Sequence, residues 1–199
     1  MAITAGMVKE LRDKTGAGIM DCKEALTASA GAMDAAVDYL RKKGLQAADK
    51  RSSRSTREGL VHAYIHGGGR LGVLVEVNCE TDFVARTDDF QALVRDIAMH
   101  IAASNPQYVS REDVPEDVLA KERHILEEQA KHAGRPEQVI PNIVAGRLQK
   151  YFQDVCLLDQ PFVKAPDMSV SDLLKETIAK VGENITVSRF VRYVLGEAS

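Results

Sequence analysis

The apolar positions of this chain recur at helical spacing over residues 4–44, switch to strand spacing near residue 59, and return to helical spacing after residue 87. Thr4 is placed to cap a helix whose Val8 and Leu11 share one face. The run Thr15-Gly16-Ala17-Gly18 ends that helix, because glycine accepts the left-handed caps that other residues resist. A second helix is predicted over residues 19–28, with Asp21 in the first turn, where the helix dipole favours an anion. A third is predicted over residues 33–43, with Val37 and Leu40 inward, and Arg41-Lys42-Lys43 followed by Gly44 reads as its stop. Three helices in about 40 residues make a module that is marginal for a core of its own.

The pattern then loses its periodicity. Lys50, Arg51, Arg54 and Arg57 stand among serines in a stretch that reads as a solvated linker or helix end. A phosphate-binding strip is the weaker reading, because no aromatic residue is interleaved for base stacking. Residues 59–66 and 71–79 read as strands joined by Gly67-Gly68-Gly69-Arg70, a hairpin turn. A phosphate loop would need a helix after the glycines, and here Val73-Leu74-Val75 continues as strand. Thr87 caps a helix carrying Phe90, Leu93, Val94, Ile97, Ala98 and Ile101 on one face, with Asp88 and Asp89 in its first turn and Pro106 beyond its end. A polar helix is predicted over 116–133, closed by Gly134, and another over 142–155. Ser169-x-x-Asp172 has the form of a capping box and opens a helix with Leu173, Leu174, Ile178 and Val181, ended by Gly182. The β-branched and aromatic run 184–195 reads as a last strand. The fold class is α+β: a three-helix N-terminal module, then a small antiparallel sheet covered by helices.

Composition narrows the function. With 199 residues, 45% hydrophobic content, 28% charged content and a net charge of −3, the chain suits one or two compact domains. These values speak against disorder and against a surface devoted to nucleic acid. Apolar runs such as residues 71–77 stop far short of the roughly 18 residues of a membrane span. Lys9 and Glu10 fall where a signal peptide would need its apolar stretch, so the chain reads as cytoplasmic. Cys22, Cys79 and Cys156 are widely separated with no CxxC spacing, which favours buried free thiols over a disulfide framework.

A search for chemistry yields little. His62 and His66 on a strand lie roughly 13 Å apart, too far to share a metal. His100 sits among apolar residues, and His124 and His132 lie on a polar helix, so no metal or cofactor set is expected. The nucleophile-elbow, zinc-protease and Walker patterns are absent, and Cys79 has no histidine near it in sequence. The chain reads as a non-enzymatic binding protein. The connection Glu80-Thr81-Asp82-Phe83-Val84 carries a large ring between a strand and a helix, where polar turn residues are usual. Pattern alone favours Phe83 folding back into the core with Asp82 capping a turn; the other reading is a ring displayed for insertion into a partner.

Two longer runs carry a resemblance. Leu11-Arg12-Asp13-Lys14-Thr15-Gly16-Ala17-Gly18-Ile19-Met20-Asp21-Cys22-Lys23-Glu24-Ala25-Leu26 resembles one signature of the bacterial elongation factor Ts family. Glu76-Val77-Asn78-Cys79-Glu80-Thr81-Asp82-Phe83-Val84-Ala85-Arg86 resembles the other, and Gln160-Pro161-Phe162-Val163 and Val181-Gly182-Glu183-Asn184-Ile185 are similar to further family stretches. The resemblance implies guanine-nucleotide exchange on elongation factor Tu, the GTPase that delivers aminoacyl-tRNA. It implies a module over 1–45, similar to ubiquitin-associated domains, that docks on the nucleotide-binding domain; a basic linker over 46–58; and an α+β dimerisation core over 59–199. Arg12, Ile19 and Met20 match family contact positions, and Thr81, Asp82, Phe83 and Val84 match the element that wedges into the GTPase and dislodges its Mg²⁺. No cofactor and no direct nucleic-acid partner are implied. Two departures stand out. The chain resembles the short form, which lacks a second core half and is expected to homodimerise, with the terminal strand's open edge as a seam. Pro141 stands where many members carry a helix-compatible residue, and is expected either to start the helix or to kink it.

Overall fold

Thr4 caps α1 (Ala5–Thr15), its hydroxyl accepting from the Met7 N–H at 3.3 Å, and Gly16 closes the helix with a left-handed φ of 69°. Helices α2 (Ile19–Ala28) and α3 (Met33–Arg51) fold back on it around Leu11, Cys22, Ala25, Leu26 and Ala36, with Val37 and Leu40 at the margin. This computed structural model describes residues 3–197.

The expected end of the third helix is corrected. Helix α3 does not stop at Lys43 but continues through Gly44 to Arg51, so Lys50 and Arg51 of the basic stretch are helical. The glycine serves close packing instead: a Cβ built on it would lie 2.9 Å from the Cβ of Ala179. The helix continues past this glycine, which weakens a helix interior by roughly 1 kcal/mol, and buries Ala48 farther on.

Strands β1 (Glu58–His66) and β2 (Leu71–Cys79) form the expected hairpin, with Gly67, Gly68 and Gly69 all at positive φ in the turn. After β2 come α4 (Asp82–Ala85) and α5 (Asp88–Ser104). The Thr87 hydroxyl accepts from the Phe90 N–H at 3.3 Å, and the apolar face read from the sequence is buried along α5. Helices α6 (Glu116–His132) and α7 (Ile140–Val155) pair around Leu126, Ala130, Ile140, Val144 and Leu148. The start of α7 lies before the expected residue 142. Pro141 stands in its first turn, where the missing N–H has no intrahelical partner to lose. The short antiparallel pair β3 (Pro161–Phe162) and β4 (Ala165–Ser169) was not legible from periodicity. Helix α8 (Val170–Val181) ends at Gly182, φ 81°, and β5 (Ile185–Val194) completes a three-stranded sheet in the order β1-β2-β5.

By its packing the chain forms two compact units. One comprises residues up to 59, 78–93 and 172–186; the other comprises 60–77, 94–171 and the residues from 187 onward. In the second, His100 is fully buried, and the Val163 N–H donates to its Nδ1 at 3.2 Å. Its Nε2 therefore carries the proton and donates to the Gln160 Oε1 at 2.9 Å. Burial pushes this imidazole below its ordinary pKa, against the opposing pull of Gln160, so the ring is a satisfied neutral core group.

The outer face of the sheet, within the same unit, is apolar except for one ion pair. A Cβ on Gly72 would meet Ile65 at 3.2 Å, which puts Ile65 and Val61 on the side of Leu74. Glu76 on that side accepts from the Arg189 Nε at 2.8 Å, and Val191, Tyr193 and Leu195 follow Arg189 at every second position. Val61, Ile65, Tyr193 and Leu195 are each more than 60% exposed.

Candidate functional site

The core position that the pattern predicts for Phe83 is not the one it takes. The ring does not return to the core: it is 78% exposed, the most exposed large apolar side chain among the described residues. The cause is the short helix α4. Consecutive helical residues point about 100° apart, so the inward turn of Val84 and Ala85, 8% and 6% exposed, sends Phe83 outward.

Thr81, not Asp82, caps this turn, with its hydroxyl accepting a long bond from the Val84 N–H at 3.5 Å. Asp82 instead pairs with Arg86 at 2.7 Å on the surface, an ion pair worth little in stability. At the other end, the Thr87 hydroxyl donates to the Val84 carbonyl at 2.8 Å. Beneath the loop, the Cys79 thiol donates to the Thr81 carbonyl at 3.1 Å. Burial pushes that thiol up to about 11, so it is a neutral donor and no nucleophile.

The firmest tie comes from far along the sequence. The Glu183 carboxylate accepts from the Thr81 N–H at 3.0 Å and from the Thr81 hydroxyl at 2.7 Å. The neighbouring Asn184, 2% exposed, donates from its backbone N–H to the Glu80 Oε1 at 2.7 Å. Its side-chain amide donates to the Ser52 and Arg54 carbonyls at 3.2 and 2.9 Å. The loop is thereby bound to the segment that follows α3. Glu183 and Asn184 were not recognisable as site residues. They stand in a stretch similar to the family's, but nothing local links them to Thr81.

In the N-terminal module, Arg12, Ile19 and Met20 are all exposed, the latter two at 57% and 74%. Arg12 and Ile19 line one open groove of about 570 Å³, together with Val8 and Lys23. The Gly16 cap, its N–H donating to the Arg12 carbonyl at 2.8 Å, turns the chain so that α2 begins with Ile19 and Met20 on the surface. The seven sequence-selected residues all belong to the first compact unit. Six are on or near the surface; Val84 is the buried anchor of the loop.

Among the described residues, no cluster of His, Cys, Asp and Glu could hold a metal ion, and no helix is long and apolar enough to cross a membrane. Comparison with known proteins gives one consistent result. The sequence profile described as "Elongation factor TS" matches residues 23–197. The chain is 62% identical over 195 residues to Elongation factor Ts of Moorella thermoacetica, an alignment covering 98% of this chain and 96% of that protein.

The chain belongs to the elongation factor Ts family.

It is 61% identical to Elongation factor Ts of Carboxydothermus hydrogenoformans over 98% of this chain and 90% of that one. It is 57% identical to that of Geobacter sulfurreducens over 99% and 91%. These alignments take in the N-terminal module, which the profile match enters only after Arg12, Ile19 and Met20. As an elongation factor Ts family member, the chain is a translation elongation factor that works in protein biosynthesis.

Proposed function

We propose that this chain is a guanine-nucleotide exchange factor for elongation factor Tu, acting by binding and not by bond chemistry. The module over residues 1–45 docks on the GTPase through Arg12, Ile19 and Met20, and the linker over 46–58, which takes in the last turns of α3, leads to the core over 59–199. The Thr81-Asp82-Phe83-Val84 element inserts Phe83, dislodges the Mg²⁺ that neutralises the nucleotide phosphates, and so releases GDP. The observation that carries this reading is a ring left 78% exposed on a turn whose neighbours are buried and tied down. An exposed aromatic on a fixed support is the form of a hot-spot anchor.

The mechanism is a linkage. A factor that weakens GDP binding is itself weakened by GDP to the same degree, so either nucleotide expels it on rebinding. Acting on this GTPase puts the protein in the cytoplasm. A second copy of the chain is the proposed cover for the apolar outer sheet face of Val61, Ile65, Leu74, Val191, Tyr193 and Leu195.

The test is release of a fluorescent GDP analogue from purified elongation factor Tu. Strong acceleration at substoichiometric amounts of this protein is expected. A folded sample that leaves the release rate unchanged refutes the proposal.

A further inference from the structure

We infer that Glu183 is a positioning residue for the Phe83 turn, holding the ring in the orientation in which it enters the partner. The inference rests on the exchange function proposed above and adds to it a residue far from the wedge in sequence.

A helix of four residues cannot hold itself in water, since nucleation alone is unfavourable. The geometry of α4 must come from its surroundings. Val84 and Ala85 anchor its inner side. They leave open how the outer side is aimed, because Thr81, where the chain leaves β2 and enters the turn, sets that direction. Thr81 has an extended backbone, φ −131° and ψ 155°, and both its N–H and its hydroxyl are taken by one carboxylate. Two bonds from one residue to the two oxygens of Glu183 fix orientation as well as position.

Glu183 is itself held from both sides. Gly182, at φ 81°, ends α8 with its N–H donating to the Ile178 carbonyl at 2.9 Å. Asn184 is buried and ties Glu80 to the carbonyls of Ser52 and Arg54. The dipeptide therefore connects the wedge to the segment that leaves the N-terminal module, the other partner-binding element. A preorganised wedge avoids ordering its backbone at the moment of binding, which is where a loosely held ring would lose its effect.

The prediction separates positioning from general stability. Removing a hydrogen bond to a charged group changes an equilibrium about tenfold or more, so E183A is expected to lower the maximal rate of GDP release about tenfold. The half-saturating concentration should move less than about threefold, because Arg12, Ile19 and Met20 still dock. E183Q keeps one acceptor and loses the charge, and is expected to lose only about two- to fivefold. The hydrogen-bonded amides of Val84, Ala85 and Arg86 should exchange with deuterium about tenfold faster in E183A. In an F83A background, E183A should add less than about a twofold loss, since it acts through the ring.

An equal loss in both backgrounds overturns the positioning role and leaves a structural one. So does an E183A protein with unchanged release rate and unchanged amide protection. Full activity of F83A alone overturns the wedge reading and this inference with it; a slow F83A beside a fast E183A overturns only the inference. Should E183A fold poorly, E183Q with and without F83A makes the same comparison at smaller amplitude.

Discussion

Replacing Phe83 by alanine should separate function from stability. The ring is 78% exposed, so its removal leaves no cavity, and surface substitutions of this kind stay within about 0.5 kcal/mol. For a chain of this length that corresponds to a shift in Tm of less than about 2 °C. The expected functional loss is larger. Burying a whole Phe side chain contributes roughly 1.5–3 kcal/mol, and the exposed 78% scales this to roughly 1.2–2.3 kcal/mol on full insertion. At about 1.4 kcal/mol per decade, GDP release should slow roughly 7- to 50-fold. The assay is stopped-flow release of a fluorescent GDP analogue from elongation factor Tu, beside thermal unfolding of the same samples. A mutant that exchanges at the full rate refutes the argument. So does one whose Tm falls by many degrees, because that would make the ring a core residue.

Two glycines in helices should respond to alanine in opposite directions. G146A, with nothing within 4 Å of the new Cβ, should stabilise by about 0.5–1 kcal/mol in urea unfolding. G44A should destabilise by about 1 kcal/mol, as overpacking against Ala179 outweighs the helix gain, and a more stable G44A would refute that packing. His100 makes stability depend on pH: its pKa is depressed in the folded state, so its contribution is complete above the unfolded value near 6.5 and is lost as pH falls below it. Urea unfolding should lose up to about 1.4 kcal/mol per pH unit in that window, and H100Q, compared over the same range, should lack this slope. Placing Lys at both Val61 and Ile65 should convert the proposed dimer to monomer by light scattering; an unchanged mass would put the interface elsewhere.

Much of this fold could be read from the sequence because its signals are local. The caps at Thr4 and Thr87, the left-handed Gly16 and the triple-glycine hairpin depend on a few adjacent residues, and each sits where it was expected. Gly44 misled because a stop signal and a close-packing site use the same residue, and only the position of Ala179 tells them apart. The β3–β4 pair is too short for alternation to register, with two residues in its first strand. At the site, pattern alone sent Phe83 inward, whereas the ring is 78% exposed. Val84 and Ala85 take the inner side of the turn instead. Glu183 and Asn184 were beyond reach because their bonds to Thr81 and to Ser52 and Arg54 cross more than 100 residues of chain.

The pairing of an inward Val84 with an outward Phe83 leads to a contrasting prediction. Both residues match the same wedge motif, yet one is exposed and the other buried. Val84 is 8% exposed, and its backbone is bonded at both ends, to the Thr81 and Thr87 hydroxyls. Truncating it to alanine removes two buried methyl groups with little chance of local collapse, a loss of about 1–3 kcal/mol. In a chain of this length Tm should fall by roughly 2–10 °C. Exchange should slow as well, because the turn that aims Phe83 loses its inner anchor. V84A should therefore change stability and exchange together, where F83A changes exchange alone. If V84A kept its Tm while losing exchange, Val84 would be a contact residue like Phe83 and the division between anchor and blade would be wrong.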